Sequence, residues 1–176
     1  ALFTLTMNRL DYTKDCFAQI KKTAGYPYTH FVIDNNSTDG TKEWLKSQNL
    51  LTKFFDVNKG IGGGWNEAVD WIGKKYDIIV KIDNDCYPLT KDWLKEMVEI
   101  FRRSRKVILS PAVEGLENNP GGVLRERQGG SPYVMINDKI LGIVPYLGGI
   151  CFASPIELYD NWRFDEDMKG NKDFIL

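Results

Sequence analysis

His30-Phe31-Val32-Ile33-Asp34-Asn35-Asn36-Ser37-Thr38-Asp39-Gly40 opens as a β-branched and aromatic run and then breaks into turn-forming residues. From Thr41 to about Ser47 the text reads as a helix. A strand that ends in a polar turn and hands over to a helix is one βα unit, and the chain repeats it on both sides. Upstream, Leu2–Thr6 is strand-like, and Tyr12, Cys16, Phe17 and Ile20 recur at helical spacing behind Asn8 and Asp11, which suit helix caps. Downstream, a third strand is expected near Lys53–Val57, then a loop at Gly60–Gly64, then a helical period on Trp65, Ala68, Val69 and Ile72. Asp77–Ile82 reads as a fourth strand, Trp93, Leu94, Met97, Val98 and Phe101 mark a long helix, and Val107–Leu109 reads as a fifth strand. Repeated βα units predict a single-domain α/β fold: a mainly parallel central sheet with helices on both faces. Residues 114–147, rich in Gly and Pro and containing the extended run Tyr133–Ile136, are expected to form a hairpin or loop insertion flanking a site.

The composition fits that frame. The chain has 176 residues, enough for one domain with a sizeable core. Its 23 Lys+Arg against 24 Asp+Glu leave a formal charge of −1, so the basic surplus of a nucleic-acid binder is missing. With 43% hydrophobic and 27% charged residues it is an ordinary globular chain and not a disordered one. No apolar run approaches the roughly 20 residues of a membrane span, and no cationic-then-apolar leader opens it. Cys16, Cys86 and Cys151 are odd in number and stand in no zinc spacing, which points to a reduced, cytoplasmic setting. Strand-like text from residue 2 and the apolar ending Phe174-Ile175-Leu176 read as a domain of something longer.

Ligands of open parallel sheets bind at the carboxyl ends of the strands, and the polar clusters fall there. Asn8 and Arg9 follow the first strand, Asp34 and Asn35 the second, Asn58 and the glycines around Gly63 the third, and Asp83-Asn84-Asp85 the fourth. In an extended segment residues i and i+2 share a side, so Asp83 and Asp85 can face one cation. Hard carboxylate oxygens suit Mn2+ or Mg2+, which take few protein ligands and complete their shell with substrate phosphates. Gly60-Ile61-Gly62-Gly63-Gly64 has Trp65 in place of the third glycine of G-x-G-x-x-G and follows the wrong strand for a dinucleotide fold. No G-x-x-x-x-G-K-[ST] is present, which removes the P-loop enzymes. The glycines still allow a ligand close to backbone at a helix N-terminus. His30 reads as a structural residue, and Cys86 has no base nearby in sequence to make it a nucleophile.

Taken in order, these blocks resemble the family 2 glycosyltransferases of the GT-A fold. Thr6-Met7-Asn8-Arg9 is similar to the family's T-Y-N-R, and Val32–Thr41 to its V-D-(D/N)-(G/N)-S-T-D-G-T. Asn58–Asn66 follows the N-x-G-x-(A/G)-x-(A/G)-x-N block, and Ile82-Asp83-Asn84-Asp85 matches the D-x-D. Gly148-Gly149 is like the glycine pair on the acceptor side, and Phe164-Asp165-Glu166 with Asn171-Lys172-Asp173 is similar to the closing F-D-E…E-D block. The resemblance implies a nucleotide-sugar transferase over residues 1–176, with a nucleotide-sugar-binding half at 1–113 and an acceptor-side half at 114–176. It implies that Thr6, Asp34 and Asn35 hold base and ribose with Asn58 and Asn66 nearby, and that Asn8, Arg9, Gly63 and Asn84 belong to the same site. It further implies that Asp83 lies against ribose or sugar beside the metal, that Asp85 holds a divalent cation, Mn2+ or Mg2+, on the diphosphate, and that Asp173 is the catalytic base.

Three positions depart from the family pattern: Lys172 stands for Glu, Trp65 for a frequent Arg that could touch phosphate, and Asn35 for a frequent Asp. The Q-x-x-R-W motif and membrane helices of processive synthases are absent from the sequence, so transfer of a single sugar is expected. The implied donor is a nucleoside diphosphate sugar, UDP-hexose first, and the implied acceptor a hydroxyl on a glycan, glycoprotein or lipid, with inversion. A nucleotidyltransferase and a non-catalytic carbohydrate-binding domain are the competing readings.

Overall fold

The computed structural model describes residues 1–104, 107–112, 133–136, 138–143 and 149–166. The βα alternation is present: β1 (Leu2–Thr6), α1 (Leu10–Thr23), β2 (His30–Asp34), α2 (Thr41–Ser47), β3 (Leu51–Phe54), α3 (Gly60–Ile72), β4 (Ile78–Ile82) and α4 (Trp93–Arg103). A 3-10 turn, Gly73–Lys75, follows α3 after its end at Ile72. Then come a hairpin of β5 (Tyr133–Ile136) and β6 (Lys139–Gly142), strand β7 (Cys151–Pro155), and a 3-10 turn at Ile156–Asp160. The main sheet runs in the order β3-β2-β1-β4-β7. Its first four strands are parallel, and β7 pairs antiparallel with β4, setting Cys151 opposite Ile82. The start of β7 therefore lies beside the carboxyl end of β4, where the expected site is.

Alternation along the strands splits the apolar side chains into two cores. Leu2, Val80, Ile82 and Ala153 pack with Cys16 and Ile20 of α1 and with Leu94, Met97 and Phe101 of α4. Phe3, Ile33, Ile79 and Phe152 point the other way, onto Trp65, Ala68, Val69 and Ile72 of α3. Helices on both faces of a mainly parallel sheet are thus observed. The hairpin expected within residues 114–147 exists as β5 and β6, joined residue for residue from Tyr133↔Gly142 to Ile136↔Lys139.

Three local expectations change. The third strand begins at Leu51 and not Lys53, and buried Phe55 extends its ladder by donating its N–H to Asp34 O at 2.9 Å. Val107–Leu109 supplies only an isolated bridge, Leu109 to Ala153, because β7 already holds the edge of β4. Gly60–Gly64 is no loop but the first turn of α3. Packing overrides helix propensity there: a Cβ on Gly64 would lie 2.5 Å from Leu5 Cδ1 of β1, so glycine lets the helix rest on the strand with the Leu5 side chain where it is. Trp65, which follows, is 2% exposed and packs on Phe3, Phe152, Tyr159 and Phe164 with ring centroids 5.0–5.9 Å away. This position faces the core.

His30 is structural, as its place in the second strand suggested. It is buried, its Nε2 lies 3.0 Å from Thr4 Oγ1, and burial pushes its pKa down to about 4. An unfolded histidine titrates near pH 6.5, so between the two values the unfolded chain binds more protons than the folded one. The stabilisation is therefore complete above about pH 6.5 and is lost as pH falls towards 4, roughly 3 kcal/mol in all. Denaturant midpoints measured across that window should fall with acid, and His30→Gln should flatten this part of the curve. Identical slopes in the two proteins would assign the acid sensitivity to other groups.

Candidate functional site

The exits of β1 and β2 are locked together by a hydrogen-bonded turn. Asp34 is fully buried, its Oδ2 accepting Thr6 Oγ1 at 2.9 Å and Ser37 Oγ at 2.5 Å, its Oδ1 accepting the Ser37 N–H at 2.9 Å. Ser37 in turn accepts the Asn8 N–H at 2.7 Å, and Asn8 Oδ1 accepts the Thr38 N–H at 2.8 Å. Asp39 caps the start of α1 by accepting the Leu10 N–H at 2.9 Å. Asn8 and Arg9 both sit at positive φ, 60° and 62°, a left-handed pair that these bonds sustain. The side chains of Thr6 and Asp34, expected in the base pocket, are fully buried and hold the turn at residues 35–38.

Asn35 joins this turn to the next exit. Its Nδ2 donates to Asn58 Oδ1 at 2.7 Å and Gly60 O at 3.2 Å, and its Oδ1 accepts the Lys59 N–H at 2.8 Å. Asn58 Oδ1 also accepts the Gly60 N–H at 2.8 Å. Around this amide layer Met7, Val57 and Ile61 are exposed apolar side chains, which no polar motif had marked. Asn35 and Asn58 are thus brought together as expected, with exposed apolar contact area beside them.

The acidic triplet departs from the extended geometry assumed from sequence. β4 ends at Ile82, and the chain turns at once, the Cys86 N–H donating to Asp83 O at 3.3 Å. Asn84 points away from the cleft, its Nδ2 donating to Thr13 Oγ1 at 2.8 Å and Asn8 O at 3.1 Å. Its amide anchors the turn against α1. Asp83 pairs with Lys81, and Asp85 pairs with Arg9. Burial pushes the Asp83 carboxyl up from its ordinary value, and the Lys81 ammonium pulls it partly back. Lys81 is itself 6% exposed and also donates to Gly149 O, tying β4 to the segment before β7. Sequence reasoning missed Lys81, although a lone lysine inside Ile78-Ile79-Val80-Lys81-Ile82 is a legible signal for a buried charge that needs partners.

The remaining expected residues separate. Asn66 is buried and faces the stretch Phe164–Glu166 instead of the β3 exit. Gly63 is buried in the first turn of α3, and a Cβ there would lie 2.8 Å from Lys59 Cβ. Gly149 accepts the Lys81 ammonium, while Gly148 and Asp173 lie outside the described residues. Cys86 is no nucleophile: burial, then Asp83 and Asp85, push its thiol up to about 11.

Among the described residues no three His, Cys, Asp or Glu side chains form a closed metal cage. The donor set nonetheless suits Mn2+ or Mg2+. Asp83 and Asp85 offer hard oxygens at one turn, where Lys81 and Arg9 pair with them. A cation of that class needs only one or two carboxylates when phosphates and water fill the other positions.

A family model, "Glycosyl transferase family 2", matches residues 2–161. Among solved structures the fold is similar to S. aureus TarS 1-349 in complex with UDP, with TM-score 0.74, 19% identity, and coverage of 97% of this chain and 51% of that one. It is also similar to GalNAc-T7 with UDP, GalNAc and Mn2+ at TM-score 0.61, 14% identity, covering 90% of this chain and 35% of that one. Mannosyltransferase PcManGT from Pyrobaculum calidifontis in complex with GDP-Man and Mn2+ gives TM-score 0.54 and 21% identity, covering 62% of this chain and 34% of that one. At such identities the likeness is one of fold. The chain spans about half the length of TarS 1-349 and about a third of the other two. No curated protein sequence matches it significantly.

Proposed function

The chain belongs to glycosyl transferase family 2 and has the GT-A fold, and from that premise we propose that it moves a single sugar from a nucleoside diphosphate sugar to a hydroxyl acceptor, with inversion at C1 and with a divalent cation. The observation that carries this reading is the juxtaposition, along one carboxyl edge, of an amide layer and a charged turn. Exposed Asn58, held in place by the buried Asn35 amide, suits a flat nucleoside together with Met7 and Ile61, which are exposed near it. Asp85 with Arg9, and Asp83 with Lys81, suit a diphosphate and its cation. UDP-hexose is the leading donor, and the acceptor is a hydroxyl of a glycan, glycoprotein or lipid. TarS and GalNAc-T7 are seen with UDP, and GalNAc-T7 and PcManGT with Mn2+, which supports the donor and metal classes.

Asp85 would hold Mn2+ or Mg2+, with Asp83 beside it. When bound, the cation offsets the charge that builds on the diphosphate as the C1–O bond breaks. The residues of the chain do the rest. Arg9, released from Asp85, is placed to reach a phosphate oxygen, and its guanidinium geometry suits that contact. Lys81 offsets part of the burial cost on the Asp83 carboxylate and orients it. A carboxylate on the acceptor side, Asp173, would take the proton of the acceptor hydroxyl as the new bond forms.

Thermal shift with UDP, GDP and dTDP, each with and without Mn2+, tests this reading. At a hundredfold excess over Kd a ligand adds about 2.7 kcal/mol, which is roughly 5–10 °C for a chain of this size. UDP with Mn2+ should give that shift, and Mn2+ or UDP alone much less. No shift with any of the three nucleotides in Mn2+ would overturn the proposal. Among the described residues no helix is long and apolar enough to cross a membrane.

A further inference from the structure

A stripe of α3 is built unlike the rest of that helix. Gly62, Asn66 and Asp70 are spaced by four, so they share one face of α3, and Lys74 follows in the 3-10 turn just past its end. The stretch after β7 runs along that face in the opposite direction. Lys74 Nζ donates to Asp160 Oδ2 at 2.8 Å, and the Arg163 guanidinium donates to Asp70 Oδ1 at 2.9 Å. One turn nearer the helix start, Asn66 Oδ1 accepts the Phe164 N–H at 3.0 Å, while Asn66 Nδ2 donates to Phe164 O and Glu166 Oε1, both at 2.9 Å. At the last position a Cβ on Gly62 would come within 2.9 Å of Asp165 O.

The rungs differ in weight. The two ion pairs are exposed and contribute little. Asn66 is buried, and both hydrogens of its amide are spent on the segment, which leaves no donor for a ligand. Trp162 and Phe164 pack edge to face with centroids 4.5 Å apart, and Phe164 closes on Trp65. The segment therefore arrives at the first turn of α3, the same turn whose Lys59 N–H and Gly60 O are held by Asn35 from the other side.

We propose that the Gly62-Asn66-Asp70-Lys74 stripe is a docking track for residues 160–166. Asn66 and Gly62 are then positioning residues for sugar transfer, aiming the acceptor-side acidic segment at the cleft, and they are not donor ligands. This rests on the transferase reading above. A clasp that served stability alone would change unfolding and leave the balance between donor binding and turnover where it was.

The test uses the full-length protein with Asn66→Ala and Gly62→Ala, measuring UDP affinity in Mn2+, turnover of UDP-hexose as UDP release, and trypsin cleavage after Arg163. Both variants should keep UDP affinity within about twofold, lose at least roughly tenfold in kcat, and be cut after Arg163 several-fold faster. Asn66→Asp should behave likewise, since it sets a carboxylate against Glu166. Adding Glu166→Gln, which supplies a donor in return, should recover part of kcat. UDP affinity falling in step with turnover would overturn the proposal and make Asn66 a donor ligand. Faster cleavage with unchanged kcat would overturn it in favour of a structural clasp. Unchanged cleavage would remove the track itself. Wild-type protein that binds no UDP would instead sink the transferase reading, and the cleavage arm would still decide whether the track exists.

Discussion

Asp85→Ala is expected to lower UDP affinity in Mn2+ by on the order of a hundredfold and to make what remains indifferent to EDTA. A contact between charged groups contributes about 1.5–3 kcal/mol, and the upper end of that range is two powers of ten in Kd. The variant should fold normally. The Asp85 side chain is one-third exposed and touches Arg9 at the surface of the cleft. The turn that carries it is held by other groups: the Asp83 N–H donates to Ile150 O at 2.8 Å, and Asn84 is anchored on Thr13 and Asn8. Asp83→Ala would be a poorer probe, because it strands the buried Lys81 ammonium, and an unpaired buried charge is strongly destabilising. A second signature follows from the Arg9 pair. Without Asp85 that guanidinium is free for phosphate, so in EDTA the variant should bind UDP at least as well as wild type. Calorimetry in Mn2+ and in EDTA gives all four affinities. Equal Kd for wild type and Asp85→Ala in Mn2+ would remove Asp85 from the metal site.

How far the sequence carried is best judged residue by residue. The βα order was legible because helix and strand periods alternate cleanly through Val98, and the site's location followed from where the polar runs interrupt them. What stayed hidden was which way each polar side chain turns. Asp34, Asn66 and Asn84 fit a ligand-binding pattern and yet spend their hydrogen bonds on Ser37, Phe164 and Thr13. Spacing reports the face a residue occupies, while a buried polar atom takes whatever partner tertiary packing brings, and own backbone competes with ligand for it. The glycine run shows the same limit. Composition predicts a loop at Gly60–Gly64, but these residues form the start of a helix whose Gly64 rests against Leu5. The fifth strand of the sheet was likewise a tertiary choice, since β7 and Val107–Leu109 are both short and apolar and only packing decides which one pairs with β4.

Asp173→Asn should leave UDP and Mn2+ affinity intact and lower transfer by about 10²–10⁴, the usual loss when a general base is removed. Inversion needs a carboxylate on the face of the sugar opposite the leaving diphosphate, within reach of the acceptor hydroxyl. The carboxylates of the charged turn pair with Arg9 and Lys81, and the proposed function gives them to the cation and the diphosphate. Asp34 is sealed beneath Thr6 and Ser37. Glu166 accepts the Asn66 amide at 2.9 Å, which ties up one of its two carboxylate oxygens. Asp173 follows seven residues later in the same acidic segment and matches the block where the family resemblance puts the base. A carboxyl with an ordinary value near 3.9 is ionised at neutral pH and needs no special environment to accept the proton. The isosteric amide keeps shape and hydrogen-bonding capacity but cannot accept it, so the loss should appear in kcat with the donor KM little changed. Asp173→Asn that transfers at the wild-type rate would move the base to Asp165, Glu166 or Asp167. Product of retained anomeric configuration would count against single displacement itself, because a retaining reaction requires no base on the opposite face.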